Sequence, residues 1–418
     1  MTKKRVVITG LGAVSPFGIG VDKFWESIKE GKSGIRTTQA LNLDKHTVKI
    51  TGEVPDFDPE QFMDPKEAKK MDRFTQFGLV AAEEAVKDAG LDKLTGEDPY
   101  RIGVIVSSAA GGFRTFEKNH RAIIERGPTK CSPFTIPMMI VDIGSGRIAM
   151  KYGFKGVNKA VVSACASSNH SIGDSFRSIQ YGDADIMLAG GCEATICDVG
   201  VGSFTSARTL SKRNDEPTKA SRPYDKDRDG FVMAEGAGVL VLEEYEHAKA
   251  RGAKIYAEVV GYGQTADAYD IVAPDPEGKG AKKAMELALE DAHMNSNEVQ
   301  YVNSHGTSTG LGDIAESQAI ARVFGDLDTN KTLLVSSTKS MHGHMLGATG
   351  SVEAIACIKA ITEGIVPPTI NLDNQDEHVA NLNYVPHKAK KADINAALSN
   401  SFGFGGHNAS LIFKKFEA

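Results

Sequence analysis

Short apolar runs rich in valine and isoleucine recur along this chain, and between them lie longer stretches whose apolar residues return with helical period. That alternation is the strongest constraint on the fold, because a short β-branched run without polar alternation needs burial on both faces. Candidate strands are "RVVITG" (5–10), "RIGVIVSS" (101–108), "AVVSAC" (160–165), "ADIMLAGG" (184–191) and "GVLVLEE" (238–244). After "ARGAKIYAEVVGYG" the rhythm restarts with helix "GAKKAMELALEDA", strand "VQYVNSHG", helix "DIAESQAIARVF", strand "LLVSSTKS", helix "GSVEAIACIKAITEG" and strands in "AALSNSFGFGG" and "ASLIFKK". The pattern predicts an α/β protein of two similar halves, 1–255 and 256–418. No Pro/Ser-rich linker marks the join, so the halves are expected to pack as one body.

Composition narrows the function classes. A net charge of −6 leaves no basic surplus for general affinity toward nucleic acid or anionic membrane. Five cysteines (Cys131, Cys165, Cys192, Cys197 and Cys357) form an odd set without CxxC spacing, poor material for a disulfide framework or zinc knuckle. The apolar run in "MTKKRVVITG" is too short for a signal peptide, and no stretch approaches the ~18 apolar residues of a membrane span. A cytoplasmic protein is expected.

Three motifs invite a wrong reading. "GLGAVS" mimics a dinucleotide fingerprint, but Ser15 stands where a third small residue is needed, so a tight strand-to-loop turn is expected. "DKDRDGFVMAEG" has the first spacings of a calcium loop, yet Gly236 replaces the bidentate glutamate, which leaves a charged structural loop. "HGH" offers His342 and His344 to a metal, with His305 or Cys165 to complete the set. Metal content is what separates that use from acid/base work.

The residues with the strongest chemical signature end apolar runs. In "SACASSNHSIGDS" Cys165 sits where a strand would turn into a helix beginning near Ser167, so the helix amino terminus is expected to lower its thiol pKa and make a nucleophile. "YVNSHGTSTGLGD" brings His305, and "LVSSTKSMHGHMLGATG" brings Lys339 and His344, each after an apolar run. One thiol and two imidazoles suit a covalent acyl carrier with donors toward a developing oxyanion. "SNSFGFGGHN" (399–408) adds a glycine-rich backbone that can approach a ligand closely and present N–H groups to an anion.

Together these stretches closely resemble the condensing enzymes of the β-ketoacyl-acyl-carrier-protein synthase II type, nearly end to end, from "RVVITGLGAVSPFG" through "ASRPYDKDRDGFVMAEGAG" to "SNSFGFGGHNASLIFKK". The resemblance implies a thiolase-like fold of two α/β halves in five layers, αβαβα, and a homodimer. It implies that Cys165 accepts an acyl group from carrier protein, and that His305 and His344 support decarboxylation of malonyl carrier protein and stabilise the enolate, extending the chain by two carbons. Lys339 matches the family lysine beside the second histidine, with Glu353 as its ionic neighbour. Backbone N–H groups of Cys165 and Phe404 match the oxyanion hole, Phe404 also gating the thiol. Thr307 and Thr309 match positions that bind the pantetheine arm, and Ala110, Thr135, Phe204 and Glu353 fall in the substrate-lining set. The histidines must be neutral to donate, so the rate is expected to fall as they protonate in mild acid.

The resemblance implies no cofactor and no metal of the chain's own, since phosphopantetheine rides on the partner. The acidic carrier protein needs a basic docking patch, for which Lys66, Lys69, Lys70 and Arg208 are the candidates, near Arg73, Lys212 and Arg213. Ala110 replaces the usual isoleucine and Thr135 a usual phenylalanine, both removing bulk and widening the expected acyl pocket. Ser168, Ser304, Gly310 and His342 are further departures that remove no catalytic group. The departures leave a second reading, a polyketide or polyene ketosynthase subunit, which would pair with a chain-length partner. A non-catalytic chain-length partner would lack Cys165, a biosynthetic thiolase would need a second cysteine in "SFGFGGHN", and a metal-dependent hydrolase would carry zinc.

Overall fold

In the computed structural model, which describes residues 3–93 and 95–417, the apolar runs become strands of one sheet. They are β1 (Val6–Ser15), β2 (Ile102–Ser107), β3 (Ile186–Glu193), β4 (Gly236–Glu244), β5 (Ala257–Ala266), β6 (Tyr301–Asn303), β7 (Leu334–Ser336), β8 (Ala396–Gly403) and β9 (His407–Lys414). Their order is β7-β6-β8-β9-β5-β1-β4-β3-β2, with the short strand Gly18–Ile19 folded back on β1. At the seam β1 meets β5 antiparallel, Val6 opposite Val259 and Ile8 opposite Ala257.

The scheme repeats on either side of that seam. β1 and β5 each pair antiparallel with the last strand of their half, β4 and β9. Next come β3 and β8, antiparallel to those, and then the parallel strands β2 and β6. β7 then extends the second series in parallel. Its counterpart would be the predicted strand "AVVSAC", and here the structure departs from the expectation. Residues 160–163 run beside β2 without strand pairing. Val161 gives its N–H to the Ser107 hydroxyl at 2.8 Å, and Asn158 makes only an isolated bridge to Val104. A side chain has taken the place of the ladder.

Five helices carry the layers: α1 (Arg73–Asp88), α2 (Ser167–Gln180), α3 (Lys279–Ala292), α4 (Gly310–Phe324) and α5 (Thr349–Glu363). α1 packs on β1, β4 and β3, while α3 packs on β5 and β9 and against α4. α2 and α5 touch each other and strands of both halves, α2 reaching β3 and β9, α5 reaching β8 and β4. They form the middle layer of an αβαβα stack. α5 is buried on every side from Thr349 to Ile358, with Val352, Ile355, Cys357 and Ile358 wholly covered, as a helix with sheet on two faces must be. None of the described helices is long and apolar enough to cross a membrane.

The glycines of "GLGAVS" turn out to lie inside β1, whose strand runs on to Ser15, so the expected strand-to-loop turn gives way to a packing reason. A Cβ on Gly12 would sit 1.9 Å from the Ala81 carbonyl of α1, and one on Gly10 2.3 Å from that of Ala85. The second half does the same: Gly263 and Gly261 on β5 lie 2.0 and 2.3 Å by that measure from the carbonyls of Ala284 and Ala288 on α3. The first carboxylate of the charged loop "DKDRDG" is taken up by internal hydrogen bonds. Asp225 accepts from Arg222 Nε and from the N–H groups of Asp227, Asp373 and Asn374 at 2.8–3.0 Å, which gives this carboxylate a structural role.

Gly12→Ala and Gly263→Ala are each expected to destabilise the fold by about 1–3 kcal/mol through overpacking. Denaturant midpoints check this, and unchanged midpoints would remove the close-approach reading.

Candidate active site

The three predicted reactive side chains arrive from three chain segments at one end of the sheet. Cys165 follows Ala164, whose φ of 50° is left-handed and uncommon for a residue with a Cβ. Ser167, at the start of α2, closes this bend by donating its hydroxyl to the Ala164 carbonyl (2.7 Å) and accepting the Ser163 N–H (3.0 Å). The Ser163 hydroxyl is anchored on His170 Nδ1 at 2.6 Å. At the end of β8, Gly403 lies so close that a Cβ there would be 2.6 Å from the Ser163 carbonyl and 3.0 Å from Cys165 N. Only glycine lets the two backbones meet.

His305 follows β6 on a loop that α4 holds from below. Glu316 accepts the N–H groups of His305 and Gly306, both at 2.7 Å, and the Asn400 amide at 3.2 Å. One turn earlier, Asp313 accepts the N–H groups of Ser308 (3.1 Å) and Tyr224 (2.9 Å). His344 follows β7. Its N–H donates to the Val232 carbonyl at 2.8 Å, and its Nδ1 faces the Thr349 hydroxyl at 2.9 Å. Behind it Lys339 and Glu353 form a buried ion pair at 2.6 Å.

The Cys165 sulfur and one nitrogen of each of His305 and His344 all lie within 4.8 Å of one another. The two imidazoles stand edge to face, 5.4 Å between centroids. Aromatic rings enclose them: Phe231 packs on His344 at 5.3 Å, Phe402 on His305 at 5.8 Å, and Phe204 bridges Phe231 and Phe404. Thr307 and Thr309, whose hydroxyls are 3.0 Å apart, line the same cavity, as do Glu316 and the segment Val272–Asp275 at its mouth. The cavity volume is ≈ 110 Å³, room for only a few waters.

Burial sets the electrostatics, and it reverses one expectation. The Cys165 thiol is pushed up to about 12 by burial, against the pull of Lys339 and of the N–H groups of Phe404 and Cys165 itself. The helix terminus does not win over the loss of water. Both imidazoles are held well below the usual histidine value, by burial first and by Lys339 next, with each further lowered by a neighbouring histidine. They are neutral near pH 7. Burial also raises the carboxyls of Glu316 and Glu353 to about 7.

The other predicted residues scatter. His342 does not join His344. Its Nδ1 donates to the Gly343 carbonyl at 2.8 Å and its Nε2 faces Thr338 at 3.0 Å, away from the cavity, so "HGH" is not a chelating pair. Glu353 stands behind the site and Ala110 lines a separate apolar groove with Phe113, Phe116, Met139 and Val199. Thr135 opens the short helix Thr135–Met139, its hydroxyl on the Ser132 carbonyl. Neither Ala110 nor Thr135 borders the Cys165 cavity, although Ala109 packs with Leu346 and Cys165. Lys66, Lys69 and Arg208 are exposed, while Lys70 pairs with Glu67 at 2.7 Å and lies over Phe134. Arg73 is turned inward onto buried Glu235 at 2.8 Å.

Three buried carboxylates do positioning that no motif announced. Besides Asp313 and Glu316, Glu193 accepts the N–H groups of Ala109 (2.8 Å) and Gly347 (3.2 Å), tying the loop after β2 to the loop that carries His344. In the sequence, the spacing of Asp313 and Glu316 with Ala315 and Ala319 on one helix face was their only signal.

Comparison with known proteins bears on this geometry. The sequence model described as "Beta-ketoacyl synthase, N-terminal domain" matches residues 3–248, and "Beta-ketoacyl synthase, C-terminal domain" matches residues 256–373. The 3-oxoacyl-[acyl-carrier-protein] synthase 2 of Vibrio harveyi is 49% identical over 415 residues, covering 99% of both chains. A solved beta-ketoacyl synthase from Burkholderia phymatum superposes with a TM-score of 0.91 at 36% identity, over 99% of this chain and 100% of that one. A type II polyketide ketosynthase solved with its acyl-carrier protein also gives 0.91, at 33% identity and the same coverage.

Alkylation of Cys165 by iodoacetamide, followed by peptide mass, is expected to keep accelerating with pH well past the ordinary thiol value of about 8.5. A plateau at or below that value would show that burial does not control this sulfur.

Proposed function

The chain belongs to the β-ketoacyl synthase family, and on that premise we propose that Cys165 carries the acyl group while His305 and His344 stabilise the carbanion that attacks it. The activity is that of a β-ketoacyl-acyl-carrier-protein synthase, a C–C bond-forming acyltransferase of fatty acid biosynthesis. The observation that carries the assignment of roles is the convergence of one sulfur and two neutral imidazoles within 4.8 Å.

In the first half reaction the Cys165 sulfur attacks the carbonyl of an acyl thioester. The thiol starts protonated, so an adjacent neutral imidazole takes its proton as the C–S bond forms and gives it to the departing pantetheine sulfur. No net proton is consumed. The N–H groups of Cys165 and Phe404, which already bear on the sulfur, receive the oxyanion of the tetrahedral intermediate. In the second half reaction the malonyl C–C bond breaks, CO2 leaves, and the electron pair becomes a thioester enolate whose oxygen accepts N–H donation from His305 and His344. The enolate carbon attacks the acyl-Cys165 carbonyl, the C–S bond breaks, and the released thiolate takes one proton from solvent. Burial keeps both imidazoles unprotonated, and Lys339, paired with Glu353, adds to that effect.

Phe404, on the Gly403–Gly406 turn, lines the cavity together with Cys165, which supports it as a gate over the thiol. Thr307 and Thr309 supply hydroxyls for the pantetheine arm along the same wall. Exposed Lys66, Lys69 and Arg208 are the docking cations for an acidic carrier protein, Arg208 standing next to cavity-lining Thr209. The fatty acid pathway is favoured over a polyketide one by 49% identity to the Vibrio harveyi synthase against 33% to the polyketide ketosynthase. Five unpaired cysteines fit a reducing, cytoplasmic setting.

A second copy of the chain is the proposed cover for the exposed apolar side chains of Phe116, Ile124, Phe134, Ile136, Ile140 and Val199, of which Phe116, Ile140 and Val199 line the Ala110 groove. Ala110 and Thr135 would then shape the acyl pocket from that interface. Sedimentation at micromolar concentration is expected to give a dimer that Ile124→Glu with Ile136→Glu dissociates; a monomeric wild type would remove the proposal.

Intact mass after exposure to acyl carrier thioesters is expected to show one acyl group on the wild type and none on Cys165→Ser. With preformed acyl-enzyme, condensation needs neutral imidazoles whose pKa values lie well below the free value of about 6.5. Any fall in rate that comes from imidazole protonation is therefore expected at a pH well below that of a free imidazole, lower than the mild-acid decline expected from sequence. A fall centred near 6.5 would count against neutral buried donors.

A further inference from the structure

We propose that the catalytic triplet is also a capture site for a soft divalent cation such as Zn2+, which silences the enzyme reversibly by taking the sulfur that would carry the acyl group. The effect on activity rests on the reading of Cys165 as nucleophile; the site itself rests on geometry.

The donor set is one thiol and two imidazoles with an open fourth position, the composition of a catalytic zinc centre. Among the described residues it is the one group of three or more His, Cys, Asp or Glu side chains whose donor atoms come this close, all within 4.8 Å. Bond lengths of about 2.0–2.3 Å to a tetrahedral ion put donor atoms roughly 3.3–3.7 Å apart, so closure needs side-chain shifts of about 1 Å. His344 Nε2 and His305 Nδ1 are both buried without a hydrogen-bond partner. His344 is 3% exposed and lines the cavity, with its other nitrogen on Thr349. The Thr349 hydroxyl can give or accept a hydrogen bond, so the imidazole can present a proton to an enolate or a lone pair to a metal without changing charge. The structure thus offers two tautomers on one scaffold.

Local charge permits a cation. The Lys339 ammonium is neutralised by Glu353 at 2.6 Å, and the buried carboxyl groups of Glu316 and Glu193 brace the loops on either side. Binding converts Cys–SH and Zn2+ to Cys–S–Zn+ with release of one proton to solvent, and no oxidant or reductant takes part. Metal and acyl group compete for the same sulfur. An acylated enzyme has no thiolate to offer, so the loaded state is the protected one.

The test uses Co2+ as the optical probe on the metal-stripped, full-length protein. One equivalent is expected to produce a sulfur-to-cobalt charge-transfer band that Zn2+ bleaches. The band is expected to vanish in Cys165→Ser and in wild type preacylated on Cys165, and to persist in Cys131→Ser, which alters an outlying thiol. Loss of the band in His344→Asn, with wild-type circular dichroism, would add the imidazole. One equivalent of Zn2+ is expected to lower condensation by more than about tenfold, with recovery in EDTA. A band that survives Cys165→Ser, equal uptake by acylated protein, or full activity with Zn2+ bound would each overturn the proposal. Should the band form while metal-free enzyme takes no acyl group, the metal site stands and the condensing role falls.

Discussion

The structure depends on two helices having sheet on both sides. α2 and α5 fill the middle layer, and because each touches strands of both halves, the halves cannot separate without exposing the most thoroughly buried helix of the fold. Cys165 lies just before α2 and His344 five residues before α5, while His305 is brought to the same end by β6. The hydrophobic requirement of the middle layer is what places a sulfur from one half against imidazoles from the other.

That placement has an electrostatic cost which the surroundings offset. Neutral imidazoles and a protonated thiol are the forms that burial favours, and they are also the forms the proposed chemistry starts from. The ionised groups nearby are paired or saturated with hydrogen bonds: Lys339 with Glu353, Glu316 with two backbone N–H groups, Glu193 with two more. These carboxylates hold loops and leave the reacting atoms alone. Stiff loops around a narrow cavity let a modest set of N–H donors act strongly on a developing negative charge.

Much of this was legible in the sequence, for identifiable reasons. Strands buried on both faces announce themselves as unbroken apolar runs, and Cys165, His305 and His344 each end such a run or follow it closely. What was not legible depended on where backbone polar groups find partners. "AVVSAC" has strand composition, yet the Ser107 hydroxyl intercepts its N–H. "GLG" looks like a turn, yet its glycines serve a helix some 70 residues away in the chain, the distance from Gly12 to Ala81. The thiol's acidity was misjudged because a helix terminus is visible in sequence and the depth of burial is not. Beyond their spacing on one helix face, Asp313 and Glu316 carry no mark in the sequence that sets them apart from other helix carboxylates, because what they clamp is the backbone of a loop.

The paired glycines have a mechanical meaning. Where β1 crosses α1 and β5 crosses α3, main chain rests on main chain, so the separation is set by atomic radii that no substitution elsewhere can alter. The rim of the cavity is built differently, from the Gly403–Gly406 turn and the segment before α3, where no such main-chain contact between strand and helix fixes the spacing.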